Sequence, residues 1–488
     1  MHKSRPSEYI VVLMVFVASR LGYYWAGIRF DASPLRSYWQ LIDPVWMKSD
    51  LLRSIWYLHM QPPGFNLGVG LIVKLFPQSF EAVLYGLFLL MGAGISVLLL
   101  DCLRQFGIGP RSRVALTTLF IASPGCVLYE DCLMYDYPVA LLLLAAVSLL
   151  FRFARCRAVF YSFCFFGCLL ALLLIRNVFH LGLIYLAAAA GWFFYSNSRR
   201  AIVLGALPAL ALGTGLYLKN WILFQAFTGS TWLGMQLGVT TTYQLSDAEA
   251  GSLIARGELS PIARITPFSS IEQYQPFITP VAPRGIPVLD APTAADHPNY
   301  NNLAYLQIHR QYAEAARAVW VHAPSAYIRG IAIAGFTYFL PASNVHSFDQ
   351  ARARMRVLER IYAAVFFGQF RQVDSRKELR AMYARGDRAK LALYTGIFAM
   401  VLIPLLTLWG AAQLLIGKLR CRWKPEERAA LAFILFVVLL VTASANLLSS
   451  FENNRYRFPI DSYYLILLAL SARTLLARFE ARSSFFSS

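Results

Sequence analysis

Four short stretches of this 488-residue chain carry the residue types that could do chemistry. YLHMQPPGFN at 57–66 holds His59 and Gln61, and follows a polar segment bearing Asp43 and Asp50. YEDCLMYDYP at 129–138 holds Glu130, Asp131 and Asp136. IRNVFH at 175–180 places Arg176, Asn177 and His180 in otherwise apolar sequence. FENNRYRFPID at 451–461 supplies Glu452, Asn453, Arg455, Arg457 and Asp461. A carboxylate near a membrane surface can accept the proton of an attacking hydroxyl. A guanidinium fork matches phosphate oxygens and can hold a phosphate as it leaves. Ionisable groups in apolar surroundings are costly, and are usually paired or functional.

Something must bring these stretches together, and composition says what. The chain is 58% hydrophobic with mean hydropathy +0.51, and apolar runs recur from residue 9 to residue 475. So many runs of bilayer-crossing length cannot be buried inside a soluble protein. The fold class expected is all-α: a polytopic transmembrane helical bundle of about twelve spans, between roughly eleven and thirteen. A long polar loop and further spans follow the first apolar run, which reads as a retained span and not as a cleaved signal peptide.

The net charge of +19 does not imply a nucleic-acid partner. Basic residues cluster at span ends, as in Arg104/Arg111/Arg113, Arg152/Arg155/Arg157, Arg199/Arg200 and Lys418/Arg420/Arg422/Lys424. That is the positive-inside pattern of cytoplasmic loops. The seven cysteines show no metal-cluster spacing, and 221–325 contains none, so that segment is not stapled by disulfides.

Lys3 and Arg5 put the N-terminus inside, so the loop after the first span, 29–61, lies outside. Residues 64–76 are too short to cross alone and read as a tilted or re-entrant helix entered through Pro62-Pro63. Spans are expected near 80–102, 114–128, 138–152, 159–175, 178–195 and 201–220, then near 326–341, 355–370, 391–416, 430–447 and 459–475. An in-plane amphipathic helix competes with a span at 355–370. This counting divides the chain into a module 1–220 with outer loops 29–61 and 129–138, an outer insertion 221–325, and C-terminal spans 326–488 with a late outer loop 448–459. All four reactive stretches then share one face.

Plain structural roles compete with functional ones at each residue. Asp43 before Pro44 could be a helix cap, and Asp50 another. His59 could be an interfacial residue with one hydrogen bond. Arg455 and Arg457 could anchor a loop to headgroups or pair with Glu452, and Arg176 could sit in a structural ion pair. The insertion reads as irregular, Pro-rich chain over 251–298 followed by a helix from 302. It could roof the outer cavity, select what enters there and limit water access, or serve only as a cap. His297, His309 and His322 fit no common zinc spacing.

The arrangement resembles the GT-C class of integral membrane glycosyltransferases, most closely the branch of protein O-mannosyltransferases, lipid A aminoarabinose transferases and their bacterial relatives. The stretch that carries the resemblance is YWQLIDPVWMKSDLLRSIWYLHMQPPGFN, in which Asp43 lies 19 residues before Pro62. Asp136-Tyr137-Pro138 looks like the class's second-loop motif, and RYRFP like a late-loop Arg motif. The resemblance implies a sugar transferred, with inversion, from a polyprenyl-phosphate donor to the hydroxyl of a lipid, glycan or protein acceptor. It implies Asp43 as catalytic base with Asp50 in reserve, and Asp136 as an orienting group. Arg455, Arg457 and Arg176 become phosphate contacts, with His59, Gln61, Glu130, Asp131, His180 and Glu452 in support. A divalent cation, Mg or Mn, could be held by Asp43 and Asp136. Asp43-Pro44 replaces the Asp-Glu pair frequent in bacterial relatives, and no large soluble C-terminal domain follows. A transporter or flippase of lipid-linked sugars would need the same phosphate contacts without a base. Short loops point to a bacterial inner membrane with the site facing the periplasm.

Overall fold

The computed structural model describes residues 6–371, 382, 388–419, 423–450 and 452–486. Lys3, Arg5, Arg420 and Arg422, which entered the topology argument, lie outside them. The chain is 76% helical with a single two-stranded ribbon among the described residues, so it is all-α. Among the described residues, six helices are long and apolar enough to cross a membrane. A seventh span follows if Pro110–Ile121 and Pro124–Glu130, bent by 55° at Ser123, are one crossing. Length and composition therefore support six or seven spans, fewer than the count expected from the sequence.

Proline punctuates this fold at the position where it costs least. Pro44, Pro63, Pro110, Pro124, Pro324 and Pro425 each open a helix, where the missing N–H would have had no intrahelical partner. Between these starts the apolar runs satisfy their backbone internally, as a hydrocarbon environment requires.

Ion pairs fix two distinct ends of the bundle. At the basic end, Arg113 grips Glu8 through two 2.7 Å bonds, Arg104 lies 2.5 Å from Asp101, and Arg155 reaches Glu426. At the opposite, loop-rich end, Arg20 grips Glu130 through two more 2.7 Å bonds. There the backbone of Asp31 also bonds to Asp131 and Leu133. The first two outer loops are thus stitched together directly, on the shared face that the sequence implied.

The short elements stay at the loop-rich end. Pro63–Leu75 is 13 residues, about 20 Å of helix. It precedes Phe80–Gln105, whose first turns meet Phe30 of the first loop through Tyr85 and Phe88. Pro324–Tyr338, expected as part of a span, is 15 residues long and has both ends near one turn. Tyr327 at its start bonds the Leu447 carbonyl, and Pro341 just past its end accepts from Asn454. Both partners belong to the same turn between two long helices. Residues 349–367 are likewise broken into Asp349–Arg354, Arg356–Tyr362 and a last wide turn, with Arg354 bonded to Gly27 and Arg457 over Phe367. The in-plane alternative describes this segment, because both its ends face loop-rich-end residues.

The insertion is more tightly built than its Pro-rich sequence suggested. Leu233–Thr240 crosses Ala304–His322 so closely that a Cβ on Gly234 would sit 1.8 Å from the His309 carbonyl oxygen. Tyr274, Tyr300, Tyr305 and Tyr312 fill the space beneath the irregular stretch. One asparagine fastens this insertion to the first loop. Asn301 Oδ1 accepts from the N–H groups of His59 and Met60, while its Nδ2 donates to Tyr57 and Val288 carbonyls. An Asn301→Ala change strands those buried groups at about 1–3 kcal/mol each. It should lower the melting temperature in detergent and speed proteolysis within the exposed stretch 279–285.

Candidate functional site

The head of Asp136–Cys156 buries a carboxylate completely. Asp136 Oδ1 lies 2.5 Å from Arg176, which follows the end of Val159–Ile175, and Oδ2 lies 3.9 Å from Arg455 at the start of Asn453–Phe486. Arg455 also meets Glu452 at 3.5 Å and donates to the Tyr38 hydroxyl at 3.0 Å. Tyr135 and Tyr456 cover the Arg176 guanidinium, with Tyr456 4.3 Å from it. Tyr38 passes the chain of contacts on to Gln40. Second loop, IRNVFH and late loop therefore converge, as their shared face requires.

This convergence is incompletely satisfied. Arg176 Nε and Nη2, Arg455 Nε and Asp136 Oδ2 are buried without a hydrogen-bond partner among the described residues. Such orphan donors are unusual in a packed interior. Two guanidiniums with spare N–H groups can receive an anion with several oxygens. The site is closed as it stands, for the crevice lined by Arg176, Val178, Phe179, Val441, Tyr456 and Pro459 has no room for a water molecule.

The other expected residues divide by how their polar atoms are used. Arg457 is turned away from Arg455, as residues two apart on a helix must be. It donates to Asp461 at 2.8 Å and to the Tyr338 and Leu340 carbonyls, so its role is to hold the neighbouring segment. Glu130 is saturated by Arg20 and the Tyr137 hydroxyl. His59 is fully buried, and burial pushes its imidazolium down to about 3. The neutral ring donates from Nε2 to the Asn301 carbonyl and accepts at Nδ1 from Thr231, a structural tie between loops. Gln61 beside it is half-buried. His180 is exposed and caps Leu181–Phe194 by accepting from Gly182.

Asp43 is a cap in fact. Oδ1 accepts from Val45 N–H and Oδ2 from Ala295 N–H, both at 2.7 Å. Ala295 sits at φ +48° in the turn between Thr293–Ala294 and His297–Pro298, so Asp43 steadies a left-handed residue of the insertion. Asp50 is partly exposed, with Arg53 at 3.9 Å. Neither lies among the residues that contact the Asp136 cluster.

Sequence reasoning missed Asp31. Its backbone is locked to the second loop, and one side-chain oxygen accepts from Ser33 at 2.8 Å. Buried Cys132 lies within electrostatic reach of Asp31, Asp136, Asp131 and Arg455, and burial with those carboxylates pushes its thiol well above the usual range. Asp31 is thus fixed to the loop that carries Asp136. Its signal was present in RFDAS, immediately after the first span, but Asp43 sat at the expected spacing from Pro62. Arg20 and the tyrosines 38, 135 and 456 were missed as well, since nothing local marks a partner that is distant in the chain.

A divalent cation does not fit these donors. Asp136 already faces two guanidiniums, and Asp43 gives both oxygens to backbone N–H groups. Among the described residues no three His, Cys, Asp or Glu side chains are grouped to hold a metal.

Asp131 gives the region a pH signature. It is 8% exposed, and burial with Glu130 nearby pushes its carboxyl up to about 7, against the weaker pull of Arg20 and Arg29. Because the folded value exceeds the unfolded one, the protonated acid favours folding, and this contribution is lost as pH rises from about 4 to about 7. The loss is at most roughly 4 kcal/mol. Asp131→Asn should flatten the fall in melting temperature between pH 5 and 8. No known family, curated protein or solved structure matches this chain.

Proposed function

We propose that this chain is an integral membrane glycosyltransferase that uses a polyprenyl-phosphate-linked sugar. The observation that carries the reading is the pair of buried guanidiniums, Arg176 and Arg455, with orphan N–H groups around one carboxylate where apolar helices meet outer loops. A lipid phosphate suits that place: its tail belongs in hydrocarbon and its oxygens complete the donors. Tyr456 and Tyr38 swing aside to admit it. Arg457 leaves the set of phosphate contacts because its N–H groups are already engaged.

The acceptor hydroxyl gives its proton to a carboxylate as its oxygen bonds to the anomeric carbon. The bond from that carbon to the phosphate oxygen breaks, and the electron pair leaves with the phosphate, whose charge Arg176 and Arg455 stabilise. The sugar inverts. Asp136 holds both guanidiniums in place and does not act as base, because Arg176 engages one of its oxygens and Arg455 faces the other inside a closed cluster. Among the remaining acids, Asp31 is the base the geometry favours. It keeps one oxygen free of hydrogen bonds among the described residues, is partly exposed, and is tied to the loop that carries Asp136. Asp43, the base implied by the family resemblance, has both oxygens engaged by backbone N–H groups.

The test is direct. Purified protein in lipid nanodiscs is given polyprenyl-phosphate sugars and candidate acceptors, and products are read by mass spectrometry. Asp31→Asn should cut turnover about 10²–10⁴-fold with folding intact. Asp43→Asn should loosen the insertion yet keep most of the turnover. Arg455→Gln should weaken donor binding. Loss of turnover in a well-folded Asp43→Asn, with Asp31→Asn active, would return the base to Asp43. Movement of labelled donor between leaflets without any glycosidic product would make the protein a flippase.

A further inference from the structure

A second cavity, of about 680 Å³, lies between the first helix, Pro6–Trp25, and the in-plane pieces Asp349–Arg354 and Arg356–Tyr362. Gly22, Tyr23 and Ala26 form one wall, Ala122 the floor, and Arg354 and Arg356 stand on the other side. The volume is that of a typical small-ligand site. Its back is sealed. Tyr23 bonds the Ala122 carbonyl at 2.9 Å, the Arg20–Glu130 pair lies behind, and Tyr129 stacks on Phe458 at 3.7 Å between this cavity and Asp136. Its front is greasy. Val357 and Leu358, which line it, are 73% and 45% exposed, which in a membrane-embedded chain means contact with hydrocarbon or the interface.

Charge selects the occupant. Neighbouring Arg352 is neutralised by Asp349 and Glu359, but Arg354 and Arg356 have no carboxylate within ion-pair distance among the described residues. A slot that is apolar along one helix, sealed from the interior and topped by two unneutralised guanidiniums matches one chemistry: a phosphate with hydrocarbon below it. We infer that this cleft between the first helix and the in-plane helices binds an anionic membrane phospholipid, at a site separate from the Asp136 cluster. The bound lipid seats the in-plane helices against the first helix and fills their junction. Nothing in this inference depends on the reaction proposed above.

The probes are phosphatidylglycerol and phosphatidylcholine, scored by native mass spectrometry of protein released from mixed nanodiscs. A Cβ at Gly22 meets no atom within 4 Å, so Gly22→Phe fills the cleft without a clash in the bundle. The wild-type chain should retain one phosphatidylglycerol in preference to phosphatidylcholine by about tenfold or more. Gly22→Phe should abolish that retention, and Arg356→Gln should erase the preference, both with unchanged melting in phosphatidylcholine discs. If Gly22→Phe misfolds, Ala26→Phe repeats the filling on the same wall. Equal retention of both lipids, or retention undiminished in the filled variants, overturns the inference. So does loss of the lipid in Arg455→Gln with Gly22→Phe unaffected, or its displacement by polyprenyl phosphate at equal concentration, because either assigns the lipid to the donor.

Discussion

Asp136 is the constraint around which the loop-rich end is organised. A carboxylate with no exposure, at the head of an apolar helix, is tolerable only beside cations. Its two cations come from a chain turn 40 residues later and from a helix start near the C-terminus. Satisfying that one charge fixes the relative height of three helices. It also brings Tyr38 of the first loop into contact through Arg455. Removing one partner of a buried pair costs about 3–5 kcal/mol, because the other charge is left stranded. The arrangement is therefore held by a charge balance that packing alone would not specify.

The same accounting of lone pairs separates the carboxylates that look alike in sequence. Glu130 has a guanidinium fork and a phenol, Asp461 has Arg457, and Asp43 has two backbone N–H groups. Glu130 and Asp43 have both oxygens engaged, and Asp461 has one oxygen held by a buried guanidinium. Asp31 and Asp131 are the ones left with capacity, and they lie on two loops that the Asp31 backbone joins. Residue type thus says little about role here; the number of donors aimed at each oxygen says more.

What could be read from the sequence follows the same logic. Apolar runs and the helix entries at Pro44 and Pro63 depend on local pattern, and the structure has helices there; it also brings 29–61, 129–138 and 448–459 into contact. The short character of 64–76 was legible from length. The apolar stretch 326–341 misled, because hydropathy cannot tell a helix lying at the end of a bundle from one passing through it. Local partnerships such as Arg455 with Glu452 and the Asp43 cap were legible, and the long-range ones were not. Arg455 and Arg457 look equivalent in RYRFP, yet helical geometry sends one to Asp136 and the other to Asp461. Asp43 matched a spacing, while its occupation by Ala295 depends on a turn 252 residues away.

The guanidinium site is held in an energetically uneven state. The tyrosine faces over Arg176 offset part of its desolvation, about 0.5–2 kcal/mol for a well-placed ring. Each unpaired buried N–H leaves a deficit of about 1–3 kcal/mol. Rings can cover a cation but cannot accept its in-plane hydrogens, so the tyrosines close the site without completing it. An oxyanion supplies in-plane acceptors that the rings lack, and its arrival repays the movement of Tyr456. A fully satisfied cluster would have been more stable and would have had no reason to open.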